Sequence, residues 1–328
     1  MWSVLIQWRV VGAAWFPANY AARAYGIRSA LPISKAWQFS QAAVRKGLPE
    51  AIFVTPDFRK YSKASQAVMA IIQKYSAVMQ QASVDEAYFD LSHVGSFEKA
   101  TEVCREIKAL IKTQERITAS IGFGPNKLIA KIASDMQKPD GLTVIIPEKV
   151  EEFLEPLSIR KIPGIGPKTE EQLNKLKIYK VQDLKKYSQM QLQEMLGKWG
   201  VALFFKIRGI DDSEVVEEYE AKSIGEQETF FEDTLDFKTV MEKLEGLCQG
   251  VFCSFQESDF KTFQNVTITV RFADFATKTR SHTLKKSEKT LKALKQESMK
   301  LIFPFFDARE NPRKKRIRLI GVRVEKLK

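Results

Sequence analysis

The chain predicts an α+β fold in several domains, and three observations carry that reading. Two apolar stretches, residues 84–91 and 117–123, read as strands and are separated by one amphipathic helix over 98–112. Residues 147–212 then read as helix almost throughout. Beyond them, 266–272 and 316–324 alternate as strands around a helix over 291–303. In the first group, Tyr88, Phe89 and Leu91 favour extended backbone, and the second strand is rich in β-branched residues. The helix between them places Val103, Ile107, Leu110 and Ile111 on one side, which should cover the sheet. A longer helix is expected over 61–78.

Length and charge bound the function. The 328 residues leave room for two to four domains of roughly 100 to 200 residues each. A hydrophobic fraction of 44% can form real cores, and a net charge of +12 suits a polyanionic partner. No apolar run approaches the roughly 18 residues of a spanning helix, so nucleic acid is a better partner than membrane. Residues 1–9 are apolar, with Trp2 and Trp8, but lack the basic start and long apolar core of a signal peptide. Cys104, Cys248 and Cys253 show neither a paired framework nor zinc spacing, which fits a reducing cytoplasm. His93 and His282 are the only histidines, too few for a histidine-rich zinc site.

The chemistry concentrates in residues 83–141. Ser83-Val84-Asp85-Glu86-Ala87-Tyr88-Phe89-Asp90 places two acids side by side at the start of a strand. Neighbouring strand side chains point to opposite faces, so Asp85 and Glu86 share a site only if a turn or bulge interrupts the alternation. Magnesium takes carboxylate oxygens and keeps several waters, so one or two acids plus substrate phosphates suffice to hold it. Taken alone, such a pair is more often a solvated strand end. The second strand runs into Gly124-Pro125-Asn126, a turn that opens a helix carrying Leu128, Ile129, Ile132, Ala133 and Met136 at helical spacing. Lys138-Pro139 should end that helix, because the residue before proline avoids helical backbone. A lysine at such an exit suits a phosphate, though any exposed lysine is the plainer reading.

Together these segments resemble the Y-family, lesion-bypass DNA polymerases of the DNA polymerase IV, or DinB-like, branch. That family carries the Asp-Glu-Ala-Tyr run, a strand ending in a Gly-to-Lys turn, and an Asp-Met…Lys-Pro…Gly segment, here Asp135-Met136-Gln137-Lys138-Pro139-Asp140-Gly141. The resemblance extends from about residue 17 to the C-terminus. It takes in Ala18-Asn19-Tyr20-Ala21-Ala22-Arg23-Ala24-Tyr25-Gly26-Ile27 and Leu31-Pro32-Ile33. It also covers Ile162-Pro163-Gly164-Ile165-Gly166-Pro167-Lys168-Thr169, similar to a helix-hairpin-helix, and Gly197-Lys198-Trp199-Gly200 and Arg208-Gly209-Ile210-Asp211. What it implies is a palm sheet with small fingers, an all-helical thumb containing the hairpin, and a separate α/β little finger. The expected boundaries are 1–14 for an atypical palm remnant, 15–56 for fingers, 57–146 for palm and 147–212 for thumb. An acidic linker over 213–221 and a little finger over 222–328 complete them.

The resemblance also implies roles. Asp85 and Glu86 would hold two magnesium ions, with Glu86 the catalytic carboxylate at the primer-side ion. Tyr20 and Arg23, three apart on one helix face, would meet the incoming triphosphate together with Lys138. Gly164, Gly166 and Lys168 would grip duplex backbone, and Arg316 and Arg318 would face it from the last strand. The implied partners are primer-template DNA and deoxynucleoside triphosphates, with a sliding clamp as a further candidate, no membrane, and a monomeric enzyme. The sequence departs from the family at Ala21, where glutamate is usual, and above all at its start. The family opens on a strand whose aspartate is a third metal ligand beside an aromatic steric gate. This chain has no acid before Glu50, although Val10-Val11-Gly12 resembles a later family strand. The start therefore reads as truncated, frameshifted or wrongly begun, or as that of an inactive relative. The rival reading is a DNA-binding protein without polymerase activity.

Overall fold

The computed structural model describes residues 2–8, 18–217 and 221–328. The chain divides into two compact units, Met1–Glu218 and Tyr219–Lys328. The segment 9–17, which holds Val10-Val11-Gly12, lies outside the described residues, as does part of the expected linker at 218–220.

The first unit opens with β1 (Ser3–Trp8), the central strand of a five-stranded sheet. Helices α1 (Tyr20–Ala24), α2 (Ile33–Val44) and α3 (Phe58–Gln73) follow, then β2 (Met79–Gln81) and β3 (Glu86–Asp90). Next come α4 (Phe97–Leu110), β4 (Ala119–Gly124), α5 (Lys127–Ser134) and β5 (Leu142–Val144). The strand order is β2-β3-β1-β4-β5, with β1 antiparallel to both neighbours and β4 parallel to β5. Alternation sorts the two faces. Val4, Ile6, Phe89, Ile121 and Phe123 pack with Val68 and Ile72 of α3 and Ile107 of α4 in one core. On the opposite face α5 lies so close that a Cβ at Gly122 would fall 2.0 Å from the Ala130 carbonyl oxygen.

The other side of α5 closes a helical subdomain made of α6 (Val150–Leu154), α7 (Pro167–Lys175), α8 (Val181–Leu184), α9 (Gln189–Leu196) and α10 (Lys198–Lys206). Leu128, Ile129 and Ile132 join its core with Leu154, Leu173, Leu184 and Leu203. Asn126 caps α5 by accepting the Ile129 amide at 3.0 Å, and Asp211 accepts the Leu128 amide at 3.0 Å. The acidic segment after α10 is thus tied to the sheet domain rather than freely extended, and Val215 is buried.

Several expected boundaries move. The helix expected over 61–78 is α3, which begins earlier because Asp57 accepts the Arg59 and Lys60 amides, and stops at Gln73 so that the chain can enter β2. The helix expected over 98–112 is capped by Ser96 and continues past Leu110 as a wider turn, Ile111–Glu115. Lys138-Pro139 does not end α5, which stops at Ser134, so Met136 lies beyond the helix and is exposed.

The second unit runs β6 (Ser223–Thr234), α11 (Phe237–Gln256), β7 (Phe263–Phe272), β8 (Thr277–Glu288), α12 (Leu291–Ile302) and β9 (Ile317–Glu325). Its sheet, ordered β6-β9-β7-β8, is antiparallel throughout. Val240, Leu244 and Val251 of α11 and Leu294 and Ile302 of α12 pack on Val266, Ile268, Val270, Ile320 and Val322. Among the described residues no helix is long and apolar enough to cross a membrane.

The Gly122 contact gives a direct test of how α5 is seated. Gly122→Ala forces the new Cβ against the α5 backbone, so it should destabilise the first unit by about 1–3 kcal/mol or more. Thermal melting of the variant checks this, and an unchanged transition would mean that α5 does not lie on β4 as described.

Candidate active site

The turn that the adjacent acids require is present. Ala82 and Ser83 both donate their amides to the Glu86 carbonyl, at 2.9 and 3.1 Å, so the chain bends just before β3. Asp85 sits on that bend, its carboxylate accepting from the Ser83 hydroxyl at 2.7 Å, while Glu86 is the first residue of the strand. Both acids therefore line one cleft of about 230 Å³. Tyr20, Arg23 and Lys138 line the same cleft, with Gln7, Ser120, Asp135 and Asp140. The structure thus brings together all five residues predicted for metal and triphosphate. Arg23 donates its Nε to the Ala18 carbonyl at 3.1 Å, and its guanidinium lies 5.6 Å from the Tyr20 ring centre.

Three acids of the cleft hold a lysine. Lys131 of α5 reaches both Glu86 oxygens at 2.7 Å, and Lys138 pairs with Asp135 at 2.5 Å. Asp140 accepts from Lys108 at 2.7 Å and Lys112 at 3.3 Å. The hydrogen bond from Lys108 holds the Asp140 carboxyl below its ordinary value of 3.8 against the opposing effect of burial, and Lys112 adds to the lowering. Lys108 also donates to the carbonyls of Ala119 and Gly141, at 2.5 and 3.2 Å, and so fixes the loop that carries Lys138. Burial pushes the Tyr88 hydroxyl well up, and the nearby Glu86 and Asp211 charges push it further.

Two functional candidates were not among the sequence expectations. Gln7 of β1 lies opposite Glu86 in register and donates its Nε2 to Glu86 Oε1 at 2.5 Å. Lys131 lies 45 residues from Glu86 and meets it only because α5 crosses that face of the sheet. The segment expected to be an atypical palm remnant thus supplies the central strand, with a neutral amide beside the acid pair. Asp85 and Glu86 offer the hard anionic oxygens that suit a divalent cation. Among the described residues, however, no group of three or more acid, histidine or cysteine side chains could hold a metal. The donor set fits a hard-cation shell completed by substrate oxygens, and Gln7 adds no charge to it.

The remaining expected contacts lie elsewhere. Gly164 has φ +105°, and a Cβ there would meet Trp199 Nε1 at 3.0 Å, so glycine is required by backbone and packing alike. Gly166 precedes α7, Pro167 occupies its first turn and Lys168 is exposed beside them. In the second unit Arg316 is exposed. Arg318 instead pairs with Asp233 at 3.3 Å and lies 4.8 Å from the Phe275 ring centre, so part of its charge is already met.

Comparison with known proteins places this geometry. Residues 11–135 match the impB/mucB/samB family, 147–178 the IMS family HHH motif, and 221–328 the impB/mucB/samB family C-terminal domain. DNA polymerase IV 2 of Methanosarcina mazei is 42% identical over 311 residues, covering 94% of this chain and 80% of that protein. The chain belongs to the Y-family DNA polymerases. DNA polymerase IV of Nitrosopumilus maritimus is 37% identical, with 94% and 83% covered. Among solved structures, a Y-family DNA polymerase chimera of Dbh and Dpo4 matches with a TM-score of 0.86 at 25% identity, covering 100% of this chain and 99% of that one. The insertion ternary complex of Dbh DNA polymerase matches at 0.64 and 26%, covering 100% and 99%. In the terms of that family the five-stranded sheet is the palm, α6 to α10 form the thumb with its hairpin, and the second unit is the little finger.

Asp140 provides a pH test of the loop. A carboxyl held below its unfolded value adds stability that is present above about pH 4 and lost as pH falls through the lowered folded value. Lys108→Met should therefore be less stable than the parent at pH 7, and the gap should narrow in melts taken below pH 4. A gap that stays constant with pH would remove Asp140 from the account.

Proposed function

We propose that this chain is a template-directed DNA polymerase of translesion type, extending a primer 3′ end with deoxynucleoside triphosphates. One observation carries the reading: Asp85 and Glu86 share a single cleft with Tyr20, Arg23 and Lys138. In the reaction the primer 3′ oxygen bonds to the α-phosphorus while the bond to the bridging oxygen breaks and pyrophosphate leaves. Asp85 and Glu86 would hold the divalent cations, expected to be two magnesium ions. When bound, such ions neutralise and align the attacking and leaving oxygens.

The side chains of the cleft do the rest. The Arg23 fork matches two phosphate oxygens, and its contact with the Ala18 carbonyl fixes where the fork stands. Lys138 exchanges Asp135 for a phosphate, and Tyr20 supports Arg23 from the same helix face. In the thumb, the amides after Gly166 at the start of α7 suit a duplex phosphate, with Lys168 beside them. Arg316, and Arg318 once released from Asp233, suit the same backbone. Such contacts position the duplex without reading its sequence. A monomer acting in the cytoplasm, with a sliding clamp as a further partner, fits this activity.

A second reading, duplex binding without extension, is favoured by one observation: Gln7 and Lys131 already satisfy Glu86. Primer extension with magnesium separates the two. The polymerase reading expects extension that falls at least about a hundredfold in Asp85→Ala and a raised KM for nucleotide in Arg23→Ala. Duplex binding with no extension by the parent chain would establish the second reading. For the duplex contacts, Lys168→Ala should weaken binding alike on all sequences and lower the salt slope by about one. An unchanged slope would take Lys168 off the phosphate backbone.

A further inference from the structure

We infer that Lys131 and Gln7 form a resident counter-charge for Glu86 that competes with a divalent cation, and that Gln7 sets how weakly this cleft holds metal. The inference builds on the reading of the cleft as a polymerase site. It starts from strand register. β1 runs between β3 and β4, and Gln7 is the cross-strand partner of both Glu86 and Ser120. Cross-strand partners share a face, so the Gln7 side chain is delivered to Glu86 by backbone pairing rather than by a flexible loop.

What it delivers is a donor. Gln7 is 6% exposed, and its Nε2 lies 2.5 Å from Glu86 Oε1. Its own carbonyl oxygen is buried with no hydrogen-bond partner. A buried unmade hydrogen bond is costly, so the arrangement gives up one polar group to aim the other at Glu86. Lys131 completes the capture at 2.7 Å from both carboxylate oxygens, with the pair about 28% and 29% exposed. Gln7 contributes no charge, Lys131 contributes +1 and Glu86 −1, so this part of the floor is neutral as it stands. A cation that takes Glu86 must displace an ammonium from both oxygens and loses the Gln7 N–H as well. An acid at position 7 would reverse this. Two facing carboxylates repel, and a cation between them relieves the repulsion, so the same strand register that now favours an empty pair would favour a filled one.

Manganese binding by the full chain, without DNA or nucleotide, tests this by the loss of the free-ion paramagnetic resonance signal. Gln7→Asp and Lys131→Gln should each tighten manganese binding about tenfold or more. Glu86→Gln placed on either background should abolish the gain. Melting curves establish that each variant is folded, and if Gln7→Asp is not, Gln7→Glu and Lys131→Gln carry the test. Folded variants that bind manganese no more tightly than the parent overturn the inference. The outcome is separable from that of primer extension. Tighter binding in a chain that never extends a primer leaves the counter-charge standing and removes the polymerase reading. Extension by the parent with unchanged affinity in the variants does the reverse.

Discussion

The site depends on the pairing of β1 with β3 and β4. A strand shifted by one residue would turn its whole polar set to the other face. With the observed register, Gln7, Glu86 and Ser120 lie side by side on the face that α5 crosses, while Val4, Ile6 and Phe89 fill the core behind them. The same pairing brings Lys131 within reach, because the missing side chain of Gly122 lets α5 settle against β4. One hydrogen-bonded ladder thus sets the distances among an acid, an amide and an ammonium that come from three distant parts of the chain.

The cleft is organised by exchange rather than by vacancy. Glu86 holds Lys131, Asp135 holds Lys138, and Asp140 holds Lys108. On the proposed reading, a triphosphate entering this cleft would trade one anion for another at Lys138. That is a smaller change than desolvating an unpaired ammonium. Asp140 and Lys108 serve a different purpose. They tie the loop to α4 and to the Ala119 and Gly141 carbonyls, so Lys138 stands on a fixed base. Pairs with both partners largely exposed, such as Lys175–Glu171 and Lys238–Glu242, contribute little to stability by comparison.

Much of this was legible in the residues. Adjacent acids before Tyr88 demanded a break in the strand, and the break exists as the double acceptance at the Glu86 carbonyl. The Gly124-Pro125-Asn126 turn announced the start of α5, which Asn126 caps, and the apolar spacing after it announced the buried face. The end of α5 was not legible from Pro139, because the helix stops at Ser134, before proline's constraint can act. β8 escapes notice for a physical reason: its run from Thr277 to Glu288 is largely exposed and carries little apolar alternation. α11 was not among the expected helices, although Val240, Leu244, Leu247, Val251 and Phe255 fall on one side of it at helical spacing. Gln7 and Lys131 could not be found at all from spacing. A lone amide in an apolar strand and a lone lysine on a helix acquire meaning only through the contact that β1 and α5 create.

The central claim is that one cleft binds triphosphate against the acid pair. A crystal structure of the chain with primer-template DNA and a non-hydrolysable deoxynucleoside triphosphate addresses it most directly. The account predicts phosphate oxygens on Arg23 and Lys138, with Lys138 released from Asp135 and the α-phosphate facing Asp85 and Glu86. A nucleotide bound away from these side chains, with the Lys138–Asp135 pair intact, would contradict it.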